Sequence, residues 1–252
     1  MFLNSNIVPA YAISNENQRW ITALFPNAKR ILTVTGSGDQ AMFYSINGAT
    51  QIDTYDISLF AGVVQDIKTT ALKILSHSEY CELVESMNCT YGDYKKAKHL
   101  DKILPHLPEA SLETLRKYGK YASFNRGVMY PEHLPTASEY ARMQAKITQP
   151  FNFIHTPLNK LHKYISDQYD IINLSNIFDS ACWQEQMRVL SNLLPHLSVG
   201  GRILNIAQLS GYDYSILQYE NPKTGVKFGY ENTFTDPTKV ATDRIISFQR
   251  TR

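Results

Sequence analysis

The chain has 252 residues, 43% of them hydrophobic and 19% charged, with a formal net charge of +2. That is an ordinary globular composition with enough chain for a sizeable core, in one α/β domain with an insertion or in two small domains, and it excludes extended disorder. So small a net charge argues against a nucleic-acid binder that works by broad phosphate neutralisation.

The opening stretch, MFLNSNIVPAYAISNENQRW, has no basic segment followed by a long apolar run, so no signal peptide is expected. Residues 30–35, RILTVT, are apolar and β-branched and predict a buried strand. GSGDQAMFYSI then turns and starts a helix, and QIDTYDI (51–57) is a second strand. In the next segment Leu59, Val63, Ile67, Ala71 and Ile74 recur at near-helical spacing, so that a helix lies on one face of the sheet. This strand–helix alternation predicts parallel strands with right-handed crossovers.

Residues 77–149 break the rhythm. They read as helical and Tyr- and Lys-rich, with seven Lys or Arg against four Asp or Glu between 91 and 120. They are expected to form an inserted helical subdomain or lid; the alternative is extra packing over the sheet with a solvated basic face. The alternation then returns with FNFIHTPL (151–158) and YDIINLSN (169–176) as strands, SACWQEQMRVLSNLLPHL as an amphipathic helix and SVGGRILNIAQ as a glycine turn into another strand. The tail offers a terminal strand at Arg244 to Arg250, with a partner around Ile216 to Tyr219 or Val226 to Tyr230. The expected organisation is 1–76, an N-terminal helix and half a sheet; 77–149, the insertion; and 150–252, the other half.

Cys81, Cys89 and Cys182 form no metal or CxxC spacing, which points to reduced thiols and a cytoplasmic protein. No apolar run approaches the roughly 20 residues of a membrane span, although contact at a membrane surface stays open. No histidine has a spacing partner for a metal, so no metal site is expected; His155 and His162 read as packed or exposed, and His77, His99, His106 and His196 as unpaired.

The chemistry points to the turn TGSGDQ. Gly36 and Gly38 permit positive φ and let a ligand approach the backbone, and the helix beyond favours negative charge at its start. Asp56 follows about twenty residues later at the end of the next strand, where a carboxylate can accept hydrogen bonds from both hydroxyls of a ribose. An acid there can instead be a helix cap. Ala41 can stand for the third glycine of a dinucleotide fingerprint, so this turn alone leaves NAD open.

The later segments narrow the choice. YDIINLSNIFDS followed by a helix and LPHLSVGGRILNIA, with Leu197, Val199, Gly200 and Gly201, resembles the second half of class I S-adenosylmethionine-dependent transferases. Ordinary members carry an acid in the first strand, as in V-L-D-x-G-x-G, where this chain has Thr33. ILTVTGSGDQAM is similar to the motif V-L-T-I-x-S-x-G-x-N-A-L of the diacylglycerol 3-amino-3-carboxypropyl transferases of betaine-lipid synthesis, through Thr33, Gly38, Gln40, Ala41 and Met42. DIS (56–58) resembles that family's D-x-N, and YDIINLSNIFD its D-x-x-x-L-S-x-x-x-E; the resemblance covers 30–75 and 169–207.

The resemblance implies an α/β, Rossmann-like class I methyltransferase fold with a mostly parallel seven-stranded sheet and a helical insertion. It implies S-adenosylmethionine as co-substrate, aminocarboxypropyl transfer ahead of methyl transfer, and a small-molecule acceptor of lipid-like kind, not nucleic acid. A non-catalytic protein that keeps the fold is the competing reading from another class. By position, Gly36, Ser37 and Gly38 would lie at the amino-acid end of the ligand and Asp56 at the ribose, with Thr35 among the residues that bind it. Ile57 would pack on the adenine and Thr156 meet its edge, while Ser175 and Asn176 would face the methionine moiety or the acceptor. Ser175 and Asn176 also suit helix capping. In the insertion, Arg126, beside Tyr130 and His133, can grip a carboxylate or phosphate or stand as a surface arginine. No catalytic residue and no oligomeric state is assigned.

Overall fold

The computed structural model describes residues 10–89, 94–125, 133–166, 168–207, 218–220, 226–237 and 244–252. In chain order it runs β1 (Ala10–Tyr11), α1 (Gln18–Ala23), β2 (Arg30–Val34), α2 (Asp39–Ile46), β3 (Gln51–Asp56) and α3 (Leu59–Ile74). Then come α4 (His77–Cys89), α5 (Leu100–Ile103), α6 (Glu109–Tyr118), β4 (Phe124–Asn125) and α7 (Ala137–Lys146). The second half contains β5 (Asn152–His155), β6 (Tyr169–Asn173), α8 (Trp183–Leu193), β7 (Leu197–Ala207), β8 (Gln218–Glu220), β9 (Lys227–Thr235) and β10 (Arg244–Arg250).

One eight-stranded sheet has the order β5-β3-β2-β6-β7-β10-β9-β8. Strands β5, β3, β2, β6 and β7 pair in parallel, and β10, β9 and β8 close the far edge antiparallel. This is the expected Rossmann-like class I methyltransferase fold, with one short strand beyond the seven expected. The tail predicts β10 with its stated bounds, and both regions offered as its partner contain strands, β9 beside β10 and β8 outside β9.

The chain leaves β2 toward β3 and β5, then returns to β6 on the other side of β2. Thr33 pairs with Thr54 on one side and Asn173 on the other. The connections diverge there, and a crevice opens at the carboxyl ends of β2, β3 and β6, where open α/β sheets hold ligands.

Two layers cover the sheet. On one side α8 buries Val189, Leu190 and Leu193 in a cluster with Ile172, Ile203 and Phe248. On the other, Met42 and Phe43 of α2 and Phe60, Val64 and Ile67 of α3 share a core with Tyr80, Leu83, Met87 and Met143. The helices of 77–149 therefore pack on α3 in one continuous core. All eight residues of α2 are buried, as a helix enclosed between layers requires. A capping box at Thr136 and Glu139 starts α7, and Arg19 of α1 donates to Glu139 at 2.6 Å, tying the N-terminal segment to this layer. A two-residue strand, β4, does form within the insertion and pairs in parallel with β1. Among the described residues no helix is long and apolar enough to cross a membrane.

Candidate functional site

The turn after β2 is built by hydrogen bonds that its sequence allows. The Gly38 N–H donates to the Thr35 carbonyl at 2.7 Å, and the Thr35 N–H to the Tyr55 carbonyl of β3 at 2.8 Å. Gly36 has φ +50° and Gly38 φ +81°, both favouring glycine. The two glycines answer different needs. Around Gly36 an added Cβ would meet open space, whereas at Gly38 it would come within 3.1 Å of the Gln65 Cα in α3. Gly38 lets helix and turn pack closely.

A cavity of about 320 Å³ lies at the crevice. Of the residues expected at a ligand, Thr35, Gly36 and Ser37 line it from the turn, and Asp56 and Ile57 from the end of β3. Thr156 lines it after β5, and Ser175 and Asn176 after β6. Gly38 stands behind the lining. Arg126 and Tyr130 lie outside the described residues, while His133 is buried with its Nδ1 2.8 Å from the Ser14 carbonyl.

Asp56 organises the cavity's centre. Its Oδ2 accepts the Gly36 N–H at 3.0 Å and its Oδ1 the Ser58 N–H at 2.9 Å, while its carbonyl accepts the Thr156 N–H at 2.9 Å. Burial pushes the carboxyl above the usual carboxylate range, against the opposing pull of the Ser58, Gly36 and Ile57 N–H groups and of nearby His155. Ile57 is 48% exposed, a large apolar side chain at the cavity wall. His155 instead points Nε2 at the Ile57 carbonyl, 2.9 Å away.

Ser175 has φ +54°, a left-handed conformation that a serine adopts at a cost. Three contacts hold it. Its N–H donates to Asn173 Oδ1 at 2.9 Å, its carbonyl accepts the Ile206 N–H at 2.8 Å, and its hydroxyl donates to Glu16.

Glu16 also accepts from Gln40 Nε2 at 2.9 Å, and Gln40 in turn accepts the Thr33 hydroxyl. Its side chain thus sits where the ends of β2 and β6 meet, and it bonds the partner of the strand position that lacks an acid. Ala10, Tyr11, Ser14 and Asn15 of the same N-terminal segment line the cavity. Sequence reasoning missed this segment because it shows no strand or helix period. One signal was present: Glu16 is the sole acidic residue before Asp39. Glu16→Ala would leave the Gln40 amide and the Ser175 hydroxyl without their acceptor. It is expected to destabilise the fold by about 2–3 kcal/mol, read by urea unfolding, with Glu16→Gln costing less because its carbonyl still accepts.

Asp39 opens α2, and its carboxylate is held there by the Ser14 N–H at 2.8 Å, the Ser37 hydroxyl at 2.7 Å and Lys68 Nζ at 2.7 Å. The positive end of α2 is therefore already matched by a protein carboxylate. Lys68 is fully buried, and burial lowers its pKa against the opposing pull of Asp39. Asp56 is the single charged residue lining the cavity among the described residues. No group of three His, Cys, Asp or Glu among the described residues could hold a metal ion.

No protein-family model matches the chain, and no curated protein sequence matches it. Solved structures are similar in fold. The rRNA methyltransferase aviRa from Streptomyces viridochromogenes is 14% identical over 99% of this chain and 91% of its own, with a TM-score of 0.48. A putative SAM-dependent methyltransferase from Streptococcus mutans is 11% identical over 92% of this chain and 48% of its own, TM-score 0.47. An rRNA methylase from Streptococcus thermophilus is 9% identical over 93% of this chain and 94% of its own, TM-score 0.42. At these identities and TM-scores the likeness is to their fold and carries nothing about their reactions.

Proposed function

We propose that the protein is an S-adenosylmethionine-dependent transferase and that it moves the methyl group to a small-molecule acceptor. The observation that carries the reading is Asp56, set at the end of β3 beside Gly36 in a cavity lined by no cation among the described residues. A carboxylate there suits the paired hydroxyls of a ribose. A pyrophosphate is poorly served, because the start of α2 already holds Asp39. A nucleoside that carries a positive rather than a negative charge fits both facts.

In this reading Asp56 holds the ribose, Ile57 packs on the adenine and Thr156 meets its edge. Gly36 and Ser37 lie along the amino-acid arm, with Gly38 behind them and Thr35 beside them in the cavity lining, and Ser175 and Asn176 face the methionine moiety or the acceptor. The co-substrate supplies a sulfonium that leaves as a neutral thioether. The chain's part is to orient it and hold the acceptor in line, which needs no strong base.

Aminocarboxypropyl transfer is the second reading. It rests on the resemblance at Thr33 and Gln40, whose side chains are hydrogen-bonded to each other at the cavity. A lipid-like acceptor rests on that resemblance alone. Calorimetric titration with S-adenosylmethionine and S-adenosylhomocysteine tests the ligand; binding of NAD or ATP instead would refute it. Product analysis after turnover with cell extract tests the reaction. S-Adenosylhomocysteine marks methyl transfer, methylthioadenosine marks aminocarboxypropyl transfer, and intact co-substrate marks a binding protein without the reaction.

A further inference from the structure

The basic, tyrosine-rich insertion carries a groove of about 600 Å³, and no residue lines both this groove and the cavity at the crevice. Its walls come from the short turns Tyr94–Lys96 and Leu104–His106, from α6, and from the turn Gly119–Tyr121 that follows α6. Leu112, Leu115, Arg116 and Gly119 all line it, at the spacing of a single helix face. Leu104, Leu112 and Leu115 pack on the core of the helical layer, so they form the floor of the groove. Lys95, Arg116, Lys117 and Lys120 line it as well, and all four are exposed. Among the described residues no acid lines it. Arg116 shares its charge with Glu109, 2.7 Å away, but no described carboxylate pairs with Lys117 or Lys120. Their ammoniums lie over the rings of Tyr118 and Tyr121, 5.0 and 4.8 Å from the ring centres. A ring in that position orients a cation without neutralising it.

We propose that this groove is a second binding site, for a single-chain amphiphile with an anionic head. The chain lies on the three leucines, and the head sits between Lys117 and Lys120. A leucine floor rewards apolar surface, and unmatched lysines at its edge reward one negative charge beside that surface. A volume of about 600 Å³ is that of a site for one small molecule, which runs to roughly 300–1,000 Å³. A flat bilayer would reach the lysines and leave the floor between them empty. A nucleic-acid strand would find a lysine over one face of each tyrosine, and leucines in place of the open rings on which bases stack.

Laurate, kept below micelle formation, is the probe for calorimetric titration of the whole chain. It should bind. Octanoate should bind more weakly, by about fourfold for each methylene removed. Acetate, a head without a chain, should give no heat. Monolauroylglycerol has the same chain and no charge, and should bind about tenfold more weakly or worse. In the double variant Lys117→Glu/Lys120→Glu, laurate affinity should fall about tenfold or more. Both side chains stand in solvent, so the exchange spares the core. Equal laurate affinity in parent and double variant would overturn the proposal, and so would equal affinity for laurate and monolauroylglycerol. Binding of phosphatidylglycerol vesicles or of oligouridylate, without binding of laurate, would overturn it in favour of a membrane or a nucleic acid. No binding of any probe would remove the site.

Discussion

Replacing Lys68 with Ala is expected to lower the unfolding free energy by about 3–5 kcal/mol. The side chain of Lys68 has no exposed surface, and its ammonium lies 2.7 Å from Asp39 Oδ1. Its removal leaves a buried carboxylate with only the Ser14 N–H and the Ser37 hydroxyl as donors. The cost therefore combines a cavity where the aliphatic stem was and a charge without its counterion. For a chain of this size the drop corresponds to a melting temperature lower by about 6–20 °C. Lys68→Met separates the two contributions, since it keeps most of the stem and removes the charge. Combining it with Asp39→Asn is expected to recover part of the loss, because an amide carbonyl still accepts the Ser14 N–H and carries no charge. A Lys68→Ala protein that unfolds within about 1 kcal/mol of the parent, far below what stripping a buried ion pair costs, would mean the pair contributes little.

The same network shows what the sequence could and could not reveal. Asp56 was legible because it closes the strand that follows the glycine turn, and the carboxyl ends of parallel strands open at the crevice. Ser175 and Asn176 were legible for the same reason at the end of β6. Glu16 was not, although the absent strand acid raised the question that it answers. Its partners Gln40 and Ser175 are 24 and 159 positions away, and nothing in SNENQ has a period. Gly38 was legible as a glycine but not for its reason. A turn glycine that faces a ligand and one that faces α3 look alike until the helix is in place. The layer formed by 77–149 shows a third kind of gap. The stretch reads as helical, but only packing with Phe60, Val64 and Ile67 of α3 shows that its helices share that core.

Asp56→Ala is expected to weaken S-adenosylmethionine binding by about 100-fold or more, since each charge-assisted bond to a ribose hydroxyl contributes about 1.5–3 kcal/mol. The variant also frees the Gly36 and Ser58 N–H groups that the carboxylate now holds, so the turn loses its anchor along with the ligand. Asp56→Asn keeps an acceptor and separates these effects: the loss should be smaller, and what remains should not depend on acid. In the parent it should. A carboxylate accepts from both hydroxyls only when ionised, and burial raises the Asp56 pKa above the ordinary carboxylate value. Affinity should therefore fall as pH drops through that raised pKa, at a higher pH than an exposed aspartate would give. Folding responds with the opposite sign. The folded state binds the Asp56 proton more tightly than the unfolded chain does, so this group's contribution to stability falls as pH rises from the unfolded pKa of about 3.9 through the raised folded value. A ligand that binds the ionised form offsets that loss, so the stabilisation it gives should grow with pH over the same window. Titrations of parent and Asp56→Asn across the acidic range, paired with melting curves with and without S-adenosylmethionine, read both signs. Parallel pH profiles for the two proteins would show that the carboxylate at position 56 does not hold the ligand.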